Sequence, residues 1–133
     1  MVALPSGADR RRRCAAVYNQ GQLGSCTANA IGGAIEFDRK KQKLSDFVPS
    51  RLFIYYNERV IERTVRSDSG AQIRDGIKSV ASLGVCPEPE CPYKIATFAA
   101  TPPARAYTDA KLYRAAPYQS LSHDLTQLDA SPP

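Results

Sequence analysis

Prolines divide this chain. From Ser25 to Gly84 only Pro49 interrupts the sequence, whereas Pro87, Pro89, Pro92, Pro102, Pro103 and Pro117 crowd the stretch that follows. A proline inside a helix removes a hydrogen bond and its ring clashes with the preceding turn, so long helices are confined to the first stretch. Three are predicted there. The first spans 25–43, where Ala30, Ile31, Ala34, Ile35 and Phe37 make a broad apolar face and Arg39, Lys40, Lys41 and Lys43 gather at the end that a helix dipole favours for cations. Ala28, Gly32 and Gly33 keep this helix slim. Interior glycines cost about 1 kcal/mol each, so they point to close packing on several sides and a central helix.

The second helix is expected to start at Pro49–Ser50 and run to about Arg63, with Leu52, Phe53, Tyr56 and Val60 at helical spacing. Ile73, Ile77, Val80 and Ala81 mark the third, capped by Ser69 and ended by Gly84. Beyond Cys86, Ala99–Ala106 reads as a surface linker and Leu112–Tyr113 as the opening of a short strand that ends at Pro117–Tyr118. Ser122 then caps an amphipathic helix through Leu125 and Leu128.

The chemistry is concentrated in Gln20-Gly21-Gln22-Leu23-Gly24-Ser25-Cys26-Thr27-Ala28. Ser25 is placed as an N-cap, so Cys26 begins the first helix, where unpaired backbone N–H groups and the positive dipole end favour a thiolate. Gln20, six positions earlier, lies on the loop that leads into that helix. Its side-chain amide is suited to donate to a developing oxyanion, as Asn and Gln do in acyl-transfer sites.

Bulk properties narrow the alternatives. The 133 residues suffice for one domain, and no run approaches the ~18 apolar residues of a membrane span, so no membrane partner is expected. Met1–Gly7 has no charged segment followed by an apolar one, and with Leu23 discussed below this favours a cytoplasmic location. The net charge of +5 owes much to Arg10–Arg13, expected to be a solvated arm. Cysteines 14, 26, 86 and 91 are read as thiols rather than a disulfide framework. Cys86 and Cys91 are loosely spaced as half a zinc site, but Cys14 and Cys26 lie too far apart to complete it, so no metal and no other cofactor is expected.

The cysteine segment resembles that of papain-like cysteine peptidases (family C1), which carry Gln-Gly-x-Cys-Gly-Ser-Cys-Trp-Ala; Gln20, Gly21, Gly24, Ser25, Cys26 and Ala28 match in register. Leu4-Pro5, Asp9-Arg10, Val17-Tyr18-Asn19-Gln20-Gly21, Ser69-Gly70 and Gly84-Val85-Cys86-Pro87 to Pro92-Tyr93 are similar to the bacterial branch, so the resemblance spans roughly 4–128. It implies a mainly α chain: the helical lobe of the papain-like α+β fold over 25–98, an extended segment over 1–24, and over 99–133 a crossing segment with an incomplete start of the β-barrel lobe.

By the same resemblance Cys26 is the nucleophile, and Gln20 and the Cys26 backbone N–H are the oxyanion donors. Gly24 and Ser25 line the cleft, Gly70 pairs its backbone with an extended peptide or protein substrate, and Ala71 and Gln72 begin the specificity pocket. Leu23 stands where the family has a disulfide cysteine, consistent with a reducing compartment. Thr27 replaces a tryptophan, and Cys91 an aromatic residue of the bacterial relatives.

The family's histidine and asparagine lie ~130–150 residues beyond the cysteine, past position 133. The one histidine, His123, is 97 residues after Cys26, lacks the expected glycine-rich strand context and reads as an exposed cap-region residue. The expectation is therefore an amino-terminal half, inactive alone, whose lobe face is left uncovered and prone to self-association. Two other classes compete. One is a non-catalytic interaction half-domain. The other is a nucleic-acid-binding module, for which Gly21-Gln22-Leu23-Gly24 imitates the GxxG loop of KH domains. A KH loop joins two helices, whereas Val17-Tyr18 reads as extended, so no nucleic-acid partner is expected.

Overall fold

The computed structural model describes residues 6, 7 and 9–115. It is built on four α-helices, α1 (Cys26–Lys41), α2 (Arg51–Glu62), α3 (Ile73–Leu83) and α4 (Ala104–Ala110), with short 3-10 turns at Arg11–Arg13, Glu88–Glu90 and Ile95–Thr97. The described residues form no strand beyond one antiparallel bridge between Pro49 and Pro87.

The central helix is α2, not α1. Every residue from Leu52 to Arg59 is buried. Ser50 caps its start: the hydroxyl accepts from the Phe53 N–H at 3.1 Å and donates to the Cys91 carbonyl at 2.5 Å. Arg63, in the left-handed region at φ 61°, closes it. The polar side chains that α2 buries are mostly satisfied, as burial demands. Asn57 donates to the Phe53 carbonyl and accepts from the Tyr107 hydroxyl. Arg59 donates to the carbonyls of Tyr55, Val65, Ser67 and Phe98, with its guanidinium 4.0 Å from the Tyr55 ring centre.

Helix α1 buries only Ala28, Ile31, Gly32 and Glu36. Gly32 is packed as its spacing suggests, since a Cβ there would lie 3.3 Å from Arg51 and 3.4 Å from Tyr18. Gly33 is not: nothing lies within 4 Å of where its Cβ would be. Gly33 borders a small pocket beneath Cys14–Tyr18, whereas a separate flank of α1 opens on an apolar groove of about 610 Å³ lined by Ala34, Ile35, Phe47, Ile77, Val80 and Tyr113, among others.

Helix α3 starts after Gln72 rather than Ser69, whose hydroxyl bonds the Gly70 carbonyl instead. It lies close against α2 at Gly76, where a Cβ would overlap the Glu58 carboxyl and the Ile31 methyl. The expected linker over 99–106 also needs correction, because α4 begins at Ala104. Ala106 and Ala110 are fully buried, small enough to bring a short helix onto the core, and Tyr107 packs 4.9 Å from the Phe53 ring. Leu112–Tyr113 form a turn after α4 instead of opening a strand, and the Tyr113 carbonyl accepts from the Val85 N–H. The expected strand end at Pro117–Tyr118, the helix from Ser122 to Leu128 and His123 fall outside the described residues.

Candidate active site

The loop from Gln20 to Ser25 is shaped by short-range bonds. Asn19 accepts from the Gly21 N–H, and Gly21 takes φ +64° where the Ile95 methyl leaves no room for a side chain. Leu23, 2% exposed, anchors the loop in the core. Its carbonyl accepts from the Gln20 side-chain amide at 2.8 Å and from the Ser25 N–H at 2.8 Å. Cys26 then opens α1 with its side chain exposed.

Ser25 occupies the N-cap position but does not cap. Its hydroxyl is fully buried, pairs with the Tyr93 hydroxyl at 2.5 Å and accepts from the Asn29 amide at 3.0 Å. No acidic residue lies in the first turn of α1 either. The positive end of the helix dipole therefore has neither a side-chain cap nor a first-turn carboxylate to offset it.

Three side chains, Tyr93, Arg51 and Asp68, fix this turn. Tyr93 donates to the Gln20 carbonyl at 2.9 Å while pairing with Ser25, so one phenol holds both ends of the loop. Its ring lies 4.0 Å from the Arg51 guanidinium, which also covers Tyr18 at 4.4 Å and donates to Asn29 at 2.9 Å. Asp68 accepts from the Gly24 N–H at 2.9 Å and from the Tyr55 hydroxyl at 2.5 Å. Burial, reinforced by that carboxylate, pushes the Tyr55 phenol up. Beneath the turn, Thr27 donates to Glu58 at 2.8 Å. Burial pushes the Glu58 carboxyl up to about 7.

The residues singled out from the sequence are unequally placed. Gln20 and Cys26 lie at the start and just past the end of one loop. Gly24 and Gly70, far apart in sequence, are neighbours: a Cβ on Gly24 would sit 3.3 Å from the Gly70 nitrogen. Gly70 takes φ +72° and donates its N–H to the Tyr55 hydroxyl at 3.2 Å. Ala71 is half-buried against the core. Gln72 is exposed as the residue before α3, with its N–H on Glu62. Ser25, being fully buried, offers no side chain to a cleft.

Tyr93, Asp68, Tyr55, Arg51 and Glu58 had no assigned role in the sequence reading. Tyr93 had a faint signal there as part of the Pro92-Tyr93 match.

All four thiols are free, and they divide into two environments. Cys86 and Cys91 are buried among apolar side chains; burial pushes Cys86 up to about 12 and raises Cys91. Such thiols are poor nucleophiles at neutral pH. Cys14 and Cys26 are exposed, and only Cys26 opens an α-helix. Among the described residues no three His, Cys, Asp or Glu side chains come together to hold a metal.

No family model matches the chain. It is 50% identical over 101 residues to an uncharacterized peptidase C1-like protein of Acanthamoeba polyphaga mimivirus, covering 75% of this chain and 32% of that protein. Its fold matches the crystal structure of xylellain, a cysteine protease from Xylella fastidiosa, with a TM-score of 0.80 and 48% identity over 86% of this chain and 48% of that one. The chain thus spans about a third of the curated relative and about half of the solved structure.

Proposed function

We propose that this chain, related to the papain-like cysteine peptidases and folded as the helical lobe of their architecture, supplies the nucleophile half of a peptide-hydrolysing site. The observation that carries the reading is the exposed Cys26 thiol at an uncapped helix start, with the Gln20 amide tied to the same loop.

In this reading the Cys26 thiolate attacks a peptide carbonyl and the backbone N–H of Cys26 receives the oxyanion. The Gln20 amide carries two N–H groups. The one on Leu23 holds the side chain in place, and the other is left to donate to the oxyanion. Preorganised donors of this kind are worth roughly 3–4 kcal/mol each in the transition state.

Gly24 and Gly70 together give a stretch of bare backbone beside the thiol, fit to receive an extended peptide, with Ala71 and Gln72 flanking it. Pairing with the Gly70 N–H would exchange its bond to Tyr55 for one to the substrate. The thiol proton and the leaving amine both require an imidazole. The sequence offers only His123, so the histidine and asparagine are assigned to a second lobe docked over the thiol. The apolar groove along α1 and α3 provides a surface such a lobe would cover.

The 133-residue chain is therefore expected to show no peptide turnover above a Cys26→Ala control. Turnover abolished by that substitution would overturn the need for a second lobe. The groove also favours a second reading, a non-catalytic half-domain that binds a partner or its own copy through this face. If this reading holds, Ile35→Asp abolishes concentration-dependent association in size-exclusion chromatography. If the thiol reading holds alone, association is absent and Cys26 still reacts selectively with electrophilic peptide probes.

A further inference from the structure

Glu58 is an unusual residue to find under a nucleophile. It is fully buried, one carboxyl oxygen accepts from the Thr27 hydroxyl at 2.8 Å, and the other has no partner at all. No cation among the described residues pairs with it: on its own helix Arg59 is spent on backbone carbonyls, and Glu62 is a like charge. From α3 the facing groups are the bare backbone of Gly76 and the acidic Asp75; from α1 they are the Thr27 hydroxyl and the Ile31 methyl. A buried carboxylate in such surroundings is strongly penalised, whereas the neutral acid is tolerated.

Thr27 directly follows Cys26 in the first turn of α1, so the state of this carboxyl is felt one residue from the thiol. We propose that Glu58 is a positioning residue for Cys26: it holds the nucleophile turn by accepting from Thr27, leaves the thiol unopposed as the neutral acid, and once ionised places an anion beneath that turn and slows the thiol. The inference rests on the reading of Cys26 as nucleophile. Burial outweighs the Thr27 bond and the Arg59 charge, which favour the anion, and with help from the Glu62 and Asp75 charges places the carboxyl's titration at about 7, so both forms are populated near neutral pH.

The test is the rate at which iodoacetamide alkylates Cys26 from pH 5 to 9, each cysteine resolved by peptide mass spectrometry. In the intact 133-residue chain the Cys26 rate should climb less than tenfold per pH unit between about 6 and 8, because Glu58 ionises in that range. In Glu58→Gln the bend should vanish, and the rate at pH 8 should exceed wild type roughly threefold to tenfold, the effect of removing a nearby like charge. The two should coincide at pH 5.5, and Cys14 should be unchanged. Thr27→Val keeps the acid but removes the bond that favours its ionised form, so its bend should move to higher pH. Superimposed Cys26 profiles for wild type and Glu58→Gln, both folded by circular dichroism, would overturn the proposal. If Glu58→Gln does not fold, a Thr27→Val bend at the wild-type pH overturns it instead. Cys26 alkylation slower in the folded chain than in urea would sink the nucleophile reading, and this inference with it.

Discussion

On the flank of α1 that faces α2, Thr27 bonds Glu58, Asn29 bonds Arg51, and Gly32 lies against Tyr18 and Arg51. On another flank Ala34 and Ile35 border an open apolar groove shared with Ile77, Phe47 and Tyr113. One helix therefore has a side that specifies position and a side that waits for cover. The polar bonds concentrate around the helix start that carries Cys26, where they fix orientation; the apolar side fixes only that something must pack there.

The largest test of this contrast uses the glycines. At Gly76, where α3 meets Glu58 and Ile31, an alanine should destabilise the fold by roughly 3 kcal/mol in urea denaturation, an overpacking cost. A change under ~0.5 kcal/mol would show that the specified flank is loose.

Next comes Glu58. Its titration moves from the ordinary glutamate value of 4.5 to about 7 in the folded chain, so the folded state holds the proton more tightly. The Glu58 contribution to stability should then be greatest below pH 4.5, decline as pH rises to 7 and level off above it. Glu58→Gln should remove that decline, making the difference between variant and wild type roughly 2–3 kcal/mol more favourable at pH 8 than at pH 4. Parallel pH profiles would mean the carboxyl is not buried as described.

Tyr93→Phe deletes the bonds to Gln20 and Ser25 and should cost roughly 1–2 kcal/mol. Amide hydrogen exchange should quicken across residues 20–25 while α3 is untouched; uniform exchange would deny the local clamp. The smallest effect should have the opposite sign. Gly33→Ala meets no neighbour and should stabilise by about 1 kcal/mol in the same denaturation assay.

What was legible in the sequence follows the range of the forces involved. The three long helices were visible in their periodicity because each buries a stripe, and their predicted ends fall within four residues of those observed. Gln20 and Cys26 were singled out largely by resemblance, and the structure places them at the start and just past the end of one loop. The short α4 was missed: seven residues with two buried alanines resemble a linker until Phe53 supplies a surface. Ser25 was assigned as a cap from its position alone, but a tyrosine 68 residues away took its hydroxyl. Asp68, Tyr55, Arg51 and Glu58 belong to the same class, since their partners are set by tertiary packing that no local pattern records. Gly24 and Gly70 lay between these cases, suggested by resemblance and brought together by the fold.

The Arg51 guanidinium between Tyr18 and Tyr93 ties the leading strand of chain to the body at one rivet, helped by its contact with the Asn19 carbonyl. Trimming the protein back as far as Cys14 would leave that rivet in place and the thiol turn undisturbed. Trimming on through Asn19 would strip one face from the guanidinium and remove the carbonyl beside it. The ring that clasps the Gln20 loop would then rest against a freer cation. The safe limit for any shortened or tagged version of this protein is thus drawn by a stacked arginine on α2, well away in sequence from the end being cut.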